Sequence, residues 1–434
     1  MKIRIGLLIA SKVEIRFIGV FHNDKSEIIT GDYTYDARNL TAKEEIFIPE
    51  IPDSSFFEVK NIIIGKDFHW QRKETQRFKG NLILRNNGKD ITLINILSVE
   101  DYLVSVISSE MCANASLEFL KAHAVISRSW VVARILHRNT TNLLNNNGMI
   151  DTPNERIRWY DDSQHIGFDV CADDHCQRYQ GVTRITNHNA INAVKATEGI
   201  ILTYKGEIAD TRFSKCCGGA FEKFENCWDD TPHPYLAPGI DYISANINKH
   251  SKFDLTKEEN TQSWIETEPT AFCNTQNREV LSQVLNVYDL ETTDFYRWKK
   301  EYTPIELSEI VRERSGIDFG MILHLIPMQR GVSGRIIRLK IVGSKRTMVI
   351  GKELEIRRIL SRSHLYSSAF TITKEITSSS TDSNYKFIFH GAGWGHGVGL
   401  CQIGAAMMAH KGYNYKDILH HYYRDCELLH ISRL

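Results

Sequence analysis

Two stretches of the chain combine residue types and spacings that could do chemistry. In the first, Leu103, Val106, Ile107, Glu110 and Met111 recur at three- and four-residue spacing and so fall on one face of a helix. A carboxylate interrupts that apolar stripe. Among aliphatic side chains an ionised carboxylate is costly, so it either pairs with a cation or has its pKa raised toward the range of a general acid. Arg128, on the next helical segment, is the cation that would make Glu110 structural instead. A carboxyl group locked against that guanidinium would not serve as an acid.

The second stretch is His390-Gly-Ala-Gly-Trp-Gly-His-Gly-Val-Gly-Leu-Cys-Gln-Ile-Gly-Ala405, with glycine at every odd position from 391 to 399. Read as an extended chain it has one bare face, where a bulky ligand can approach the backbone. Trp394 and His396 then project from the opposite face, where an aromatic ring can pack on a sugar. A phosphate-cradling loop is the competing reading, but the Lys-Ser/Thr ending is missing, as is the strand, turn and helix arrangement of a dinucleotide fold. A turn without function leaves five alternating glycines beside Trp and His unexplained. From Cys401 to His410 the pattern reads as a helix.

Nine cysteines are present, and five of them, Cys171, Cys176, Cys216, Cys217 and Cys227, gather within one stretch. The spacing His165-x5-Cys171-x4-Cys176, with His175 adjacent, offers the thiolate and imidazole ligands that zinc prefers. A disulfide framework in an oxidising compartment and plain free thiols remain open beside a structural metal site. Cys112, Cys273, Cys401 and Cys426 are scattered and read as buried free thiols. Cys401 or Cys112 with His396 has the residue types of a cysteine peptidase. That reading is the weaker one, because Cys112 follows so closely on the helix-end Glu110.

The elements that must position these residues follow from patterning. Residues 1–97 alternate β-branched and aromatic runs with Asn-Gly and Asp turns, beginning with a strand at Ile3 to Ile9. Ser98 stands at an N-cap, with Asp101 three residues on, and opens a helix over Val99 to Met111. A second helix is expected over Ser116 to His137, a long binding or surface loop over Asn139 to His165, and short strands over Ala190 to Lys205 and Ala209 to Lys215. A helix near Ile305 to Arg314 and strands near Gly334 to Ile341 suggest an inserted subdomain, and a Ser/Thr run, Thr377 to Ser383, leads to the glycine-rich segment. The expectation is an α+β fold: a β-rich core with two adjacent helices at the active-site region, plus an inserted α+β subdomain. The divisions are 1–97, 98–235 with Glu110 and the cysteine cluster, 236–372 as the insertion, and 373–434 returning the glycine-rich motif to the site. At 434 residues the chain is long enough for two interlocked subdomains or one elaborated domain.

Composition narrows the partners. Lys plus Arg and Asp plus Glu number 53 each, which removes the basic footprint of a nucleic-acid binder and favours a neutral or mixed-charge substrate. Hydrophobic residues at 42% and charged residues at 24% are those of a folded globular protein. No run approaches the roughly 18 apolar residues of a spanning helix, and the run within Met1 to Ala10 is too short for a signal-peptide core.

Three ordered stretches together resemble the stage II sporulation protein D and amidase-enhancer (SpoIID/LytB) family. They are Ser98-Val-Glu-Asp-Tyr-Leu-Val-Ser-Val-Ile-Ser-Ser-Glu-Met111, Leu120-Lys-Ala-His-Ala-Val-Ile-Ser-Arg-Ser-Trp130, and the Gly-His-Gly-Val-Gly-Leu-Cys-Gln-Ile-Gly-Ala run. The resemblance implies a peptidoglycan lytic transglycosylase in the cell envelope with Glu110 as the catalytic acid and base. Its products would end in anhydro-muramyl residues, and catalysis would require no cofactor. It implies substrate contacts from Arg128, Ser129, Trp394, His396 and Gln402, and structural zinc on His165, Cys171 and Cys176, with the second gap one residue off the familiar spacing. A non-catalytic, wall-binding enhancer of an amidase is the alternative it also allows. Cys401 and Trp130 stand where the family usually has Ser and Tyr, which removes a hydroxyl at each place.

Overall fold

The computed structural model describes the chain except for residues 66–70, 113–114, 138–148, 160–164, 174, 186–187, 243–253, 286–293 and 377–384. Most of the long loop before His165 and the Ser/Thr run lie outside the described residues. The fold is α+β, as the patterning predicts. The chain divides into two compact units: Met1–Leu143, Asp162–Ile208 and Leu428–Leu434 form the first, and Leu144–Asp161 with Ala209–Glu427 the second. The divisions drawn from composition, at 97, 235 and 372, therefore fall inside units.

The first unit is built on eight strands formed early in the chain: β1 (Lys2–Ala10), β2 (Lys12–His22), β3 (Ile28–Asp36), β4 (Glu44–Pro49), β5 (Phe56–Ile64), β6 (Arg72–Phe78), β7 (Asn81–Asn86) and β8 (Ile91–Ser98). With the short strand Val170–Cys171 at one edge they run Val170–Cys171, β1, β8, β7, β4, β2, β5, β6, and β3 pairs with β2. Alternation places Ile3, Ile5, Phe17, Phe57, Leu82 and Leu93 inside. Ser98 ends β8 and caps α1 (Val99–Glu110), its side chain accepting the Asp101 N–H at 3.0 Å. α2 (Leu117–His137) lies beside α1, and α3 (Asn189–Ala196) packs on both. Residues 189–196 are thus helical where short strands were expected. Ala190, Ala193 and Val194 lie on one buried helical face there, and the strand begins only at Ile200–Tyr204.

An ion pair fixes the two main helices. Arg128 on α2 is 1% exposed and donates to both oxygens of Glu100 on α1, at 2.9 and 2.6 Å, and to the carbonyls of Ile200 and Val194 at 3.0 and 3.4 Å. One guanidinium therefore ties α1, α2, α3 and the following strand together. Ser129 completes the clamp: buried, it donates to the Val125 carbonyl and accepts the Leu202 N–H at 2.8 Å.

The second unit has a five-stranded sheet in the order Ile322–Arg330, Ile336–Gly343, Thr347–Gly351, Glu155–Ile157, Ile150–Asp151. Its three-stranded sheet places Tyr385–Ala392 between Arg297–Tyr302 and Phe370–Ile376. Six helices accompany them among the described residues: α4 (Glu258–Thr267), α5 (Arg278–Val284), α6 (Pro304–Ser315), α7 (Glu353–Ile359), α8 (Gln402–His410) and α9 (Tyr415–Tyr422). Their core joins Trp298, Leu307, Phe319, Leu339, Ile356, Phe370 and Phe389.

Removing Glu100, whose side chain is 33% exposed, would leave the buried Arg128 guanidinium without its counter-charge but still on two carbonyls, a loss of about 1–3 kcal/mol. Glu100→Ala is expected to lower unfolding stability by that amount, read from the urea midpoint at unchanged slope. An unchanged midpoint would show the clamp to be dispensable.

Candidate functional site

Glu110 is the last residue of α1, and Met111 leaves the helix in extended conformation while donating back to the Ile107 carbonyl. The apolar stripe behaves as its spacing predicts: Leu103, Val106, Ile107 and Met111 are at most 4% exposed. Glu110 itself is half-buried, because it occupies the final turn where the stripe runs out. This corrects the picture of a carboxylate sunk among aliphatic side chains.

Its Oε1 accepts the backbone N–H of Arg178 at 3.0 Å. Among the described residues no cationic side chain pairs with it. Arg128 is committed to Glu100, so the structural ion pair considered for Glu110 does not form. Arg128 and Ser129 are both buried, with their polar atoms engaged inside the unit, and they shape the site by holding its helices rather than by offering donors at its surface.

The amide that reaches Glu110 belongs to a tightly constrained turn. Its entry is strand-like: Asp169 N–H donates to the Arg4 carbonyl and Ala172 N–H to that of Gly6, while Arg4 N–H donates to Asp169 Oδ2 at 2.8 Å. Gly6 is required there, since a Cβ would lie 2.7 Å from the Phe168 ring. Its exit is pinned by side chains. Tyr102 of α1 donates to Gln177 Oε1 at 3.2 Å, Tyr179 donates to Asn95 Oδ1 at 2.6 Å, and the two tyrosine rings stack at 5.4 Å. Burial pushes the pKa of Tyr102 well up, as do nearby Cys176, Cys171, Tyr179 and Glu110.

Together with His165, which precedes the entry, Cys171, His175 and Cys176 of this turn bring one ligand atom each within 4.8 Å of one another. Cys176 Sγ stands 3.7 Å from His165 Nε2 and 3.6 Å from His175 Nδ1, and Cys171 Sγ is 3.9 Å from the latter. The hydrogen bond with Cys176 pulls the Cys171 thiol well below the ordinary thiol range, helped by His165 and His175 and opposed by burial, while burial pushes Cys176 up. Two sulfurs and two imidazoles suit zinc, and all nine cysteines are free thiols. The turn thus connects these four ligand atoms to the one hydrogen bond that Glu110 Oε1 accepts among the described residues.

In the second unit the glycine-rich run is not an extended strand with a bare face. The strand ends at Ala392, and Gly393, Gly395, Gly397 and Gly399 all take positive φ, from 68° to 105°. The glycines allow left-handed turns at alternate residues, which β-branched or bulky residues resist. At Gly397 there is also no room, because a Cβ would fall 2.5 Å from Arg335 Cζ. Arg335, fully buried, donates to the Gly395 carbonyl at 3.2 and 3.0 Å and to Ser333 Oγ at 2.9 Å. Trp394 stacks on Phe295 at 5.4 Å and meets Tyr366 edge-on, so one ring face is already occupied. His396 packs edge-to-face on Trp228 at 4.8 Å and donates nothing from Nδ1, which accepts the Val398 N–H at 3.0 Å. Desolvation, then Arg212, Arg335 and Arg357, press its pKa well below the ordinary value, so it is neutral. Gln402 opens α8 at 1% exposure. Sequence reasoning missed Arg335 and the Arg178 amide, since neither sits in a recognisable spacing.

Residues 87–204, which include Glu110, both main helices and the His/Cys turn, match the family model described as stage II sporulation protein, SpoIID. Residues 222–399 match a second model, described as a domain of unknown function, DUF8618. An uncharacterized protein of Brachyspira hyodysenteriae is 26% identical over 357 residues, covering 82% of this chain and 73% of that protein. The amidase enhancer of Bacillus subtilis is 25% identical over 326 residues, covering 74% of this chain but 39% of the enhancer. Stage II sporulation protein D of Bacillus amyloliquefaciens is 21% identical over 333 residues, covering 76% of this chain and 74% of the relative.

Proposed function

This chain belongs to the stage II sporulation protein D and amidase-enhancer (SpoIID/LytB) family, and from that premise we propose that it is a cell-envelope lytic transglycosylase that cuts peptidoglycan glycan strands. The observation that carries this reading is the state of Glu110: half-buried at a helix end, oriented by a backbone amide, and without a cationic partner among the described residues. A carboxyl group used as an acid and then as a base needs that freedom, because a permanent ion pair would hold it ionised throughout.

One carboxyl group suffices for the reaction. It protonates the oxygen bridging N-acetylmuramic acid to N-acetylglucosamine, and the glycosidic bond breaks. As the muramyl C6 hydroxyl oxygen closes onto the anomeric carbon, the same carboxylate takes its proton and returns to the acid form. No water is consumed, unlike hydrolysis, where a second carboxyl group supplies a nucleophile or activates water. Tyr102, Gln177 and the Arg178 amide keep the carboxylate in place through both transfers. Zinc on His165, Cys171 and Cys176, with His175 beside them, would stiffen the turn that presents this amide, a structural role, while the acid and base remain on Glu110.

The likeness to an amidase enhancer supports a second reading, in which the chain binds wall glycan and recruits an amidase without cutting. Glu110→Gln separates the two. It keeps the size and the Arg178 hydrogen bond, so wall binding is expected to persist while release of glycan fragments from purified sacculi falls at least about 100-fold, the usual reach of general acid–base catalysis. Equal release by the variant would remove the enzyme reading.

The metal has its own readout. Cys171→Ser with Cys176→Ser is expected to lower bound zinc by one equivalent per chain and to speed hydrogen exchange at the Arg178 amide. Unchanged zinc content and unchanged exchange would count against a metal in the turn.

A further inference from the structure

The second unit contains another convergence of ligand atoms, which joins Cys401 of the glycine-rich run to residues scattered over the chain. Cys217, Asp241, Cys273 and Cys401 each bring one sulfur or carboxylate oxygen within 4.8 Å of the others. All four are at most 2% exposed. They come from four separate segments: the residues after the strand Phe213–Ser214, the residue after the strand Gly239–Ile240, the approach to α5, and the two-residue strand Leu400–Cys401. No Cys-x2-Cys pairing marks them, so they cannot be found from spacing.

We propose that Cys217, Cys273, Cys401 and Asp241 form a closed, structural zinc site. The sulfurs of Cys217 and Cys273 are 3.5 Å apart. Two thiolates on tetrahedral zinc, each at about 2.3 Å, are separated by about 3.8 Å, so a small adjustment seats the ion. Three thiolates and one carboxylate supply the four ligands of a filled tetrahedron, with none left for substrate. Binding displaces the thiol protons to solvent.

The surroundings are those of held ligands. Cys217 N–H donates to Cys401 Sγ at 3.2 Å. Asp241 Oδ2 accepts the Cys273 N–H at 3.0 Å, and Oδ1 accepts Tyr422 O–H at 2.9 Å with His421 Nε2 at 3.4 Å. A carboxylate oxygen has room for a second partner, so Oδ2 keeps capacity for the ion. Such outer contacts fix ligand orientation in metal sites. Gly404 makes room for this arrangement, since a Cβ there would lie 2.4 Å from Tyr422 Oη and 2.6 Å from Asp241 Oδ2.

The consequence is mechanical. Zinc here adds a link from Cys401, at the end of the glycine-rich run, to Cys217, Asp241 and Cys273, beyond the short pairings of Leu400–Cys401 with Phe213–Ser214 and of Gly239–Ile240 with Ala220–Phe221. It also fixes where α8 begins, one residue later at Gln402.

The test uses the full chain, made with zinc and reductant and carrying His165→Ala, Cys171→Ser, His175→Ala and Cys176→Ser to empty the turn in the first unit. One zinc per chain is expected to remain, to persist in a further Cys112→Ser variant, and to disappear with Cys217→Ser and Cys273→Ser. A second measurement leaves the proposed site intact: cobalt(II) exchanged into the same chain is expected to show thiolate-to-cobalt charge transfer and intense tetrahedral ligand-field bands. Absence of zinc, zinc content indifferent to Cys217 and Cys273, or a cobalt spectrum without thiolate bands would overturn the proposal. So would a Cys217–Cys273 disulfide recovered from protein isolated anaerobically with its thiols blocked.

Discussion

The hydrogen bond from the Arg178 amide to Glu110 Oε1, 3.0 Å long, is the constraint on which the account of the first unit rests. A backbone donor orients a carboxylate without neutralising it, whereas a guanidinium would pair with it and hold it ionised. The bond is useful only if the amide is itself immobile. That requirement explains the density of restraints on residues 169–179: main-chain pairing to β1, the Phe168 ring over Gly6, the stacked Tyr102 and Tyr179, and four soft or imidazole ligands within reach of one another.

Charge is managed by segregation. The strongly basic side chain nearest in sequence logic to Glu110 is Arg128, and it is drawn off by Glu100 one face around the same helix. Two like solutions occur in the second unit. Arg335 is spent on carbonyls of the glycine-rich run, and the buried Glu222 is surrounded by the N–H groups of Val332 and Ser333, the Ser333 hydroxyl and Asn226. Each of these three buried charges has its partners, as the cost of an unpaired one demands.

Much of the first unit was legible. Ser98 and Asp101 announced a helix start, the three- and four-residue spacing announced its buried face, and the β-branched runs announced the sheet. The His165, Cys171 and Cys176 spacing also pointed to residues that do converge. What stayed hidden follows from the limits of local pattern. Glu110 reads as buried because its neighbours on the stripe are, yet a helix terminus exposes whatever it ends on. The alternating glycines read as a period-two strand, although their use is to permit positive φ at every second residue. The Arg178 amide, Arg335 and the Cys217, Asp241, Cys273 and Cys401 cluster depend on contacts across tens to hundreds of residues, and no window of sequence contains them.

The most direct test of the central claim is the chemical identity of the cut ends. Purified protein is incubated with glycan strands stripped of stem peptides, and the fragments are weighed by mass spectrometry. Fragments terminating in anhydro-muramyl residues are expected, each lighter by one water than its hydrolytic counterpart. Fragments with free reducing ends, or intact strands, would contradict the claim.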